Sequence, residues 1–148
     1  KIEAALPLCP RGTVISKQMC HDAPYTNLYS VRGGPEIGFG YTLSVFSGGP
    51  GVESFYLTTN SDNFSKLADL FTSKYGAPMD SSSETVKTKA GASFTNETIS
   101  WRGKKVSITL QKFSGDINTS SATISDIDAA AKKAAERESK ATSNANKL

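Results

Sequence analysis

Histidine, cysteine and tryptophan are scarce in this chain. Its 148 residues include one histidine, two cysteines and one tryptophan. The sole histidine, His21, directly follows Cys20, and adjacent side chains rarely meet for proton transfer. A nucleophile–base–acid set therefore lacks a convincing base. The cysteines form no Cys-x-x-Cys pair, which excludes the usual zinc spacing. We expect no catalytic residue, no metal and no cofactor, and hence a protein that is not an enzyme.

Long apolar runs are also absent. No stretch approaches the roughly 20 apolar residues that a membrane-spanning helix needs, so no span is predicted. The net charge is only +3, and the lysines are scattered without interleaved aromatics, so we expect no nucleic-acid partner. Because the sequence opens at Lys1 within a helix-like segment, we expect a processed or trimmed start. A peripheral or lipid-anchored association through a missing N-terminus stays open.

The two cysteines lie eleven residues apart, with a turn signal at residues 10–12 between them. We predict a disulfide between Cys9 and Cys20, which would stabilise the fold by about 3 kcal/mol through loop closure. Two unrelated buried thiols are the alternative. A disulfide implies an oxidising compartment, so the sequence predicts a periplasmic or secreted protein.

The clearest element is a helix over residues 61–75. Ser61 or Asp62 can cap its free amide groups, and Gly76 with Pro78 is a typical stop signal. Apolar residues recur between them at three- and four-residue spacing, which is the pattern of a helix with one buried stripe. The stripe consists of Phe64, Leu67, Ala68, Phe71 and Tyr75.

Alternation of apolar and polar residues predicts the strands. They cover residues 13–20, 37–46, 52–58, 84–88, 97–102, 105–112 and 120–125. Residues 21–27 have the composition of a turn, and residues 1–7 that of a helix end. Short connections between strands favour antiparallel pairing. We predict an α+β fold in which two helix-then-antiparallel-strands units form one antiparallel sheet with the helices packed on one face.

This domain is expected over residues 1–125, and residues 126–148 form a tail of different composition. Asp126 or Asp128 can cap a run of alanine, lysine, glutamate and arginine over residues 126–139, which has high helix propensity. Its one large apolar residue is Ile127. We predict a charged, solvated helix followed by a frayed end, with a partner-binding or spacer helix as the alternative.

The second half of the chain resembles a group of small exported bacterial domains, of the β-lactamase-inhibitor-protein and outer-membrane-assembly lipoprotein type. The resemblance rests on Phe64, Leu67 and Phe71, on residues 74–78 (Lys-Tyr-Gly-Ala-Pro), and on Ile99, Ser100, Trp101, Val106, Ile108 and Leu110. It covers about a third of the chain. It implies an extracytoplasmic binding or inhibitory role, and it supplies no functional residue that can be carried over.

We therefore expect a non-enzymatic, extracytoplasmic binding or inhibitor domain that contacts another protein. The alternatives are an envelope structural or assembly protein that docks through the tail helix, and a small enzyme with an unrecognised site. Trp101 is expected in the core. Tyrosine and glycine in the first half are typical of adaptable binding surfaces. The predicted binding face consists of Tyr25, Tyr29, Arg32 and Tyr41, with the glycine turn at residues 48–51.

Cys9 and Cys20 are expected to be bridged in the natively isolated protein. Alkylation without reductant should then add no mass, whereas alkylation after reduction should add two labels, because reduction frees both sulfur atoms. Intact mass spectrometry measures the difference. Two labels in the unreduced protein would remove the argument for an oxidising compartment.

Overall fold

The computed structural model describes residues 19–25, 27–47 and 52–145, except for the side chains of residues 23–25 and 133. Several sequence predictions lie outside this range. They are the helix end at residues 1–7, the strand at residues 13–18, Cys9, the glycine turn at residues 48–51 and the last three residues.

Among the described residues, eight strands form a single antiparallel sheet, which confirms the α+β class and the antiparallel pairing. The strands are β1 (Cys20–Tyr25), β2 (Leu28–Arg32), β3 (Thr42–Phe46), β4 (Ser54–Asn60), β5 (Asp80–Lys87), β6 (Ser93–Arg102), β7 (Val106–Gln111) and β8 (Thr119–Asp126). Their order across the sheet is β1-β2-β3-β4-β8-β7-β6-β5. Two four-stranded meanders are thus joined by pairing between their last strands.

The predicted helix at residues 61–75 is present, with a different cap. Residues 61–63 form a 3-10 turn, and helix α1 (Phe64–Tyr75) follows it. Asn60 supplies the cap, since its Oδ1 accepts a hydrogen bond from the Asp62 amide at 2.9 Å. The Ser61 hydroxyl instead donates to the Ile117 carbonyl at 2.7 Å. Gly76 ends the helix with φ of +86°, a conformation that glycine adopts without strain.

The main core lies between α1 and the second meander. Its buried residues are Phe64, Leu67, Phe71, Trp101, Ile108, Leu110 and Ala122. The expected position of Trp101 in the core is therefore correct. The indole Nε1 donates to the Gly76 carbonyl at 2.9 Å, which ties the end of α1 to the sheet. A smaller cluster around Tyr29 and Val45 lies on the first meander.

The structure corrects the prediction of a turn at residues 21–27. Most of this segment is strand β1, which pairs with β2, a strand that the sequence patterns did not indicate. Pro24 lacks a backbone donor, but β1 is at the sheet edge, where proline is tolerated. The pairing is shifted between Asp22 and Tyr25. Asn27, at φ of +66°, is in a turn immediately before β2.

Other predicted boundaries move for local reasons. The strand expected at residues 37–46 begins at Thr42, because Gly38 adopts φ of +95° and breaks the extended path. Strand β5 begins at Asp80, four residues earlier than predicted. Helix α2 (Ile127–Ala145) is capped by Asp126, whose Oδ1 accepts from the Ala129 amide at 2.9 Å. The helix continues six residues beyond the predicted end at residue 139, so the frayed end was predicted too early.

Leu67 and Leu70 are the same residue type on α1 but differ in burial, so they provide a matched test of the core. Leu67 is 0% exposed and Leu70 is 39% exposed. Leu67→Ala should lower the free energy of unfolding by about 2–5 kcal/mol, because it leaves a cavity. Leu70→Ala should lower it by less than about 1 kcal/mol. Urea titration followed by circular dichroism measures both. Equal losses would contradict this packing of α1.

Candidate functional site

A cleft of about 930 Å³ lies where strands β1, β2 and β3 meet the loop at residues 33–41. The strands contribute Asp22, Ser30, Arg32 and Ser44 to its lining. The loop is rich in glycine, so its backbone can approach the strands closely. The cleft therefore combines polar residues of three strands with a glycine-rich loop.

The charged groups in the cleft are held by the β1–β2 pairing. Asp22 lies opposite Ser30 and Cys20 lies opposite Arg32, so Asp22 and Arg32 are diagonal neighbours. The Arg32 Nε donates to Asp22 Oδ2 at 2.8 Å, and Nη2 contacts the same oxygen. Both side chains are more than a third exposed. Such a pair stabilises the fold by at most about 1 kcal/mol, so its main effect is to orient the guanidinium group.

Tyr41 closes the other side of the cleft. Its hydroxyl donates to the Pro35 carbonyl at 2.7 Å, which fixes the loop across the strand end. Burial raises the pKa of the Tyr41 hydroxyl above its ordinary value of 10.0. The neutral phenol therefore stabilises the fold at pH values below 10, and this contribution is lost as the pH rises through the higher pKa of the folded state.

The structure brings together two of the four predicted binding residues, Arg32 and Tyr41, at this cleft. Tyr29 does not belong to the exposed face, because it is 9% exposed and packs with Val45 in the smaller core cluster. Alternation along β2 directs it away from Arg32. Tyr25 is the last residue of β1, and its side chain lies outside the described atoms.

His21 is a core residue and does not line the cleft. It is 3% exposed, and its ring meets the Tyr29 ring edge-on at 5.7 Å between centroids. Its Nδ1 has no hydrogen-bond partner among the described residues. Cys20 is also buried, at 2% exposure. Because Cys9 lies outside the described range, the disulfide between them stays a prediction.

Asp22, Ser30 and Ser44 of the cleft lining belong to a polar face of the sheet that sequence reasoning missed. Residues paired across a sheet point to one side, and the core residues of β7 and β8 point towards α1. Their neighbours along each strand point to the opposite side, which we call the open face. One row of it crosses all eight strands through Asp22, Ser30, Ser44, Tyr56, Thr123, Thr109, Ser100 and Asp80.

None of the eight residues in this row is buried. Tyr56 is 40% exposed, and its hydroxyl lies 3.2 Å from the Ser114 Oγ. A signal for this face is present in the sequence, because serine and threonine alternate with apolar residues along β7 and β8. Its members are far apart in the chain, however, and only the strand order places them in one row.

Comparison with protein-family models, with curated proteins and with solved structures finds no match to this chain. Within the described ranges, no group of three or more histidine, cysteine, aspartate or glutamate residues is arranged to hold a metal ion. No described helix is both long enough and apolar enough to cross a membrane.

Gly34 provides a test of the cleft wall, because a Cβ atom there would lie 2.6 Å from the Tyr41 hydroxyl oxygen. Gly34→Ala should displace the ring, break its bond to Pro35 and return the Tyr41 pKa towards 10. Gly40→Ala is the matched control, since nothing lies within 4 Å of its Cβ position. An NMR titration of the tyrosine ring carbons measures the pKa. An unchanged pKa in Gly34→Ala would refute this geometry.

Proposed function

We propose that this chain is a non-enzymatic binding or inhibitor domain that docks another protein on the open face of its sheet. The observation that carries the proposal is the continuous row of polar residues across all eight strands, which ends at the cleft beside Arg32. Asp22, Ser30 and Ser44 belong both to the row and to the cleft lining.

The size of this surface favours a protein partner over a small molecule. Eight strands at about 4.8 Å spacing span roughly 34 Å, and a strand of six residues is about 20 Å long. The resulting area is of the order of 700 Å², close to the roughly 800 Å² that each partner contributes to a standard protein interface. A small ligand would fill only the cleft.

The chemistry of the face also suits protein contact. Serine and threonine hydroxyl groups donate and accept hydrogen bonds, and Tyr56 offers a large exposed ring with a polar end. Tyrosine with serine is the composition of adaptable paratopes. Charges of both signs lie towards the edges, with Asp22 and Arg32 at one edge and Asp80 at the other. A partner can be oriented by those charges while the centre supplies hydrogen bonds.

Two further parts of the proposal concern the organisation of the fold in two units and the compartment in which the protein acts. The order of the strands, with one meander mirroring the other about the β4–β8 pair, supports two helix-then-strands units that build one sheet with their helices on one face. The predicted Cys9–Cys20 disulfide supports a periplasmic or secreted bacterial protein. A domain of this type would act outside the cytoplasm on a protein of the same compartment.

Thr109→Arg should abolish partner binding, because it puts a bulky charge at the middle of the open face, where Thr109 is exposed. Thr72→Arg, on the exposed side of α1, is the matched control. Affinity capture from an envelope extract of the source organism, followed by mass spectrometry, compares the three proteins. We expect one protein that the wild type and Thr72→Arg retain and Thr109→Arg loses.

Two outcomes would contradict the proposal that the open face binds a protein partner. One is that Thr109→Arg still captures the partner, and the other is that the wild type captures no protein from the envelope extract. The alternative of an envelope assembly part that docks through α2 draws on the exposure of that helix, which is solvated from residue 130 onward wherever its side chains are described. If removing residues 130–148 abolishes capture while Thr109→Arg does not, the alternative replaces the open face.

A further inference from the structure

A second surface lies at the end of α1, on the side of the sheet opposite the open face. The helix stops at Tyr75, but strands β6 and β7 extend beyond it. The apolar strip of the core therefore continues without a helix above it and forms a groove of about 360 Å³. Its apolar lining includes Tyr75, Met79, Trp101 and Val106.

This groove is the most exposed apolar region among the described residues. Met79 is 69% exposed, Tyr75 is 46% exposed and Val106 is 41% exposed. Scattered single apolar residues on a surface are ordinary, whereas several around one groove indicate an interaction site. The volume lies within the range of pockets that bind ligands and would accept one or two large side chains.

The walls of the groove are fixed by hydrogen bonds. The Trp101 Nε1 donates to the Gly76 carbonyl at 2.9 Å, and the Arg102 amide donates to the Met79 Sδ at 3.3 Å. The Gly103 amide donates to the Val106 carbonyl at 2.8 Å, which closes the β6–β7 turn. A groove held in this way loses little conformational freedom on binding.

Four cations surround the groove. Lys104 and Lys105 lie on the β6–β7 turn, Arg102 is the last residue of β6, and all three belong to the lining. The Lys74 Nζ lies 5.5 Å from the centre of the Tyr75 ring. All four are exposed. None of them forms an ion pair with a carboxylate of the described residues.

The acidic residues beside the groove are fewer than the cations. Asp80 follows Met79, and Asp126 pairs with Val106 across β7 and β8. Asp126 is engaged as the cap of α2. The rim therefore has a net positive charge and attracts negative groups.

We propose that this groove binds a short acidic peptide segment that carries a large apolar anchor residue. The anchor would enter between Tyr75, Met79 and Val106, while flanking carboxylates meet Lys104 and Lys105. Methionine at such a site adapts to anchors of different shape. A concave groove of this volume favours a side chain that enters it over a flat anionic membrane, which would need apolar residues that protrude.

Selection from a phage-displayed library of short random peptides, on the immobilised full chain, identifies the ligand class. We expect the enriched peptides to combine aspartate or glutamate with one leucine, phenylalanine or tryptophan. Fluorescence anisotropy then gives the dissociation constant of a labelled enriched peptide. Raising the salt from about 0.1 M to about 1 M should weaken binding at least about tenfold, because the screening length falls from about 10 Å to about 3 Å.

Lys104→Glu combined with Lys105→Glu should weaken the same peptide at least about tenfold, because both rim charges become repulsive. The matched control is Lys87→Glu with Lys89→Glu, which makes the same charge change at the turn between β5 and β6, at the other end of β6. Met79→Ser should also weaken binding, by about threefold or more, because it removes an apolar wall. The control pair and Thr109→Arg should leave the peptide affinity unchanged. Circular dichroism checks that each variant is folded.

The proposal is overturned if the selection yields no acidic peptides with an apolar anchor, or if the control pair weakens them as much as the groove variant does. Binding to vesicles of phosphatidylglycerol tests the alternative that the groove contacts a membrane. If they bind the wild type and not Lys104→Glu with Lys105→Glu, while no peptide is enriched, the groove is a membrane contact and not a peptide site. Because Thr109 lies on the opposite side of the sheet, failure here does not affect the open face.

Discussion

The pairing of β4 with β8 is the contact on which the rest of the fold depends. Seven residue pairs join Ser54–Asn60 to Thr119–Asp126 and turn two four-stranded meanders into one sheet. The same seam anchors the start of α1, since the Ser61 amide donates to the Asn118 carbonyl at 2.8 Å. It also brings Leu57 of the first meander against the α1 core. A meander alone would leave one long edge unpaired.

A sheet of this kind has two faces with different chemistry, and the period of two along each strand decides which residue lies on which face. On β8, Ala122 points towards α1 and Thr123 points to the open face. Helix α1 covers the first face over the second meander, except for the groove at the end of the helix. The hydroxyl-rich face is left, and it extends from edge to edge only because the β4–β8 seam keeps the register of both meanders in step.

The parts of the fold that the sequence could predict are those whose signals are local. Helix α1 has its stripe, its Gly76 stop and Pro78 within a few residues of one another. The structure differs in the cap, in the 3-10 turn at residues 61–63 and in Tyr75, which is exposed. Strand β2 could not be predicted, because it has no clear alternation and gains its partners, β1 and β3, through pairing that a sequence pattern does not reveal. Without β2, the sequence places Tyr29 on a binding face. Its burial follows from the position of β2 between β1 and β3.

The candidate sites show the same difference between features with local sequence signals and features that depend on contacts distant in the chain. Arg32 and Tyr41 lie close together in the chain, and their joint place at one cleft could be predicted from composition. The groove at the end of α1 could not, because Met79 and Val106 meet only through the β6–β7 hairpin and the Trp101–Gly76 hydrogen bond. The stop signal that made α1 easy to predict also ends the helix before the strands end. The apolar strip left uncovered there is therefore a direct consequence of the Gly76 stop, and the cations of the β6–β7 turn give that strip its preference for acidic partners.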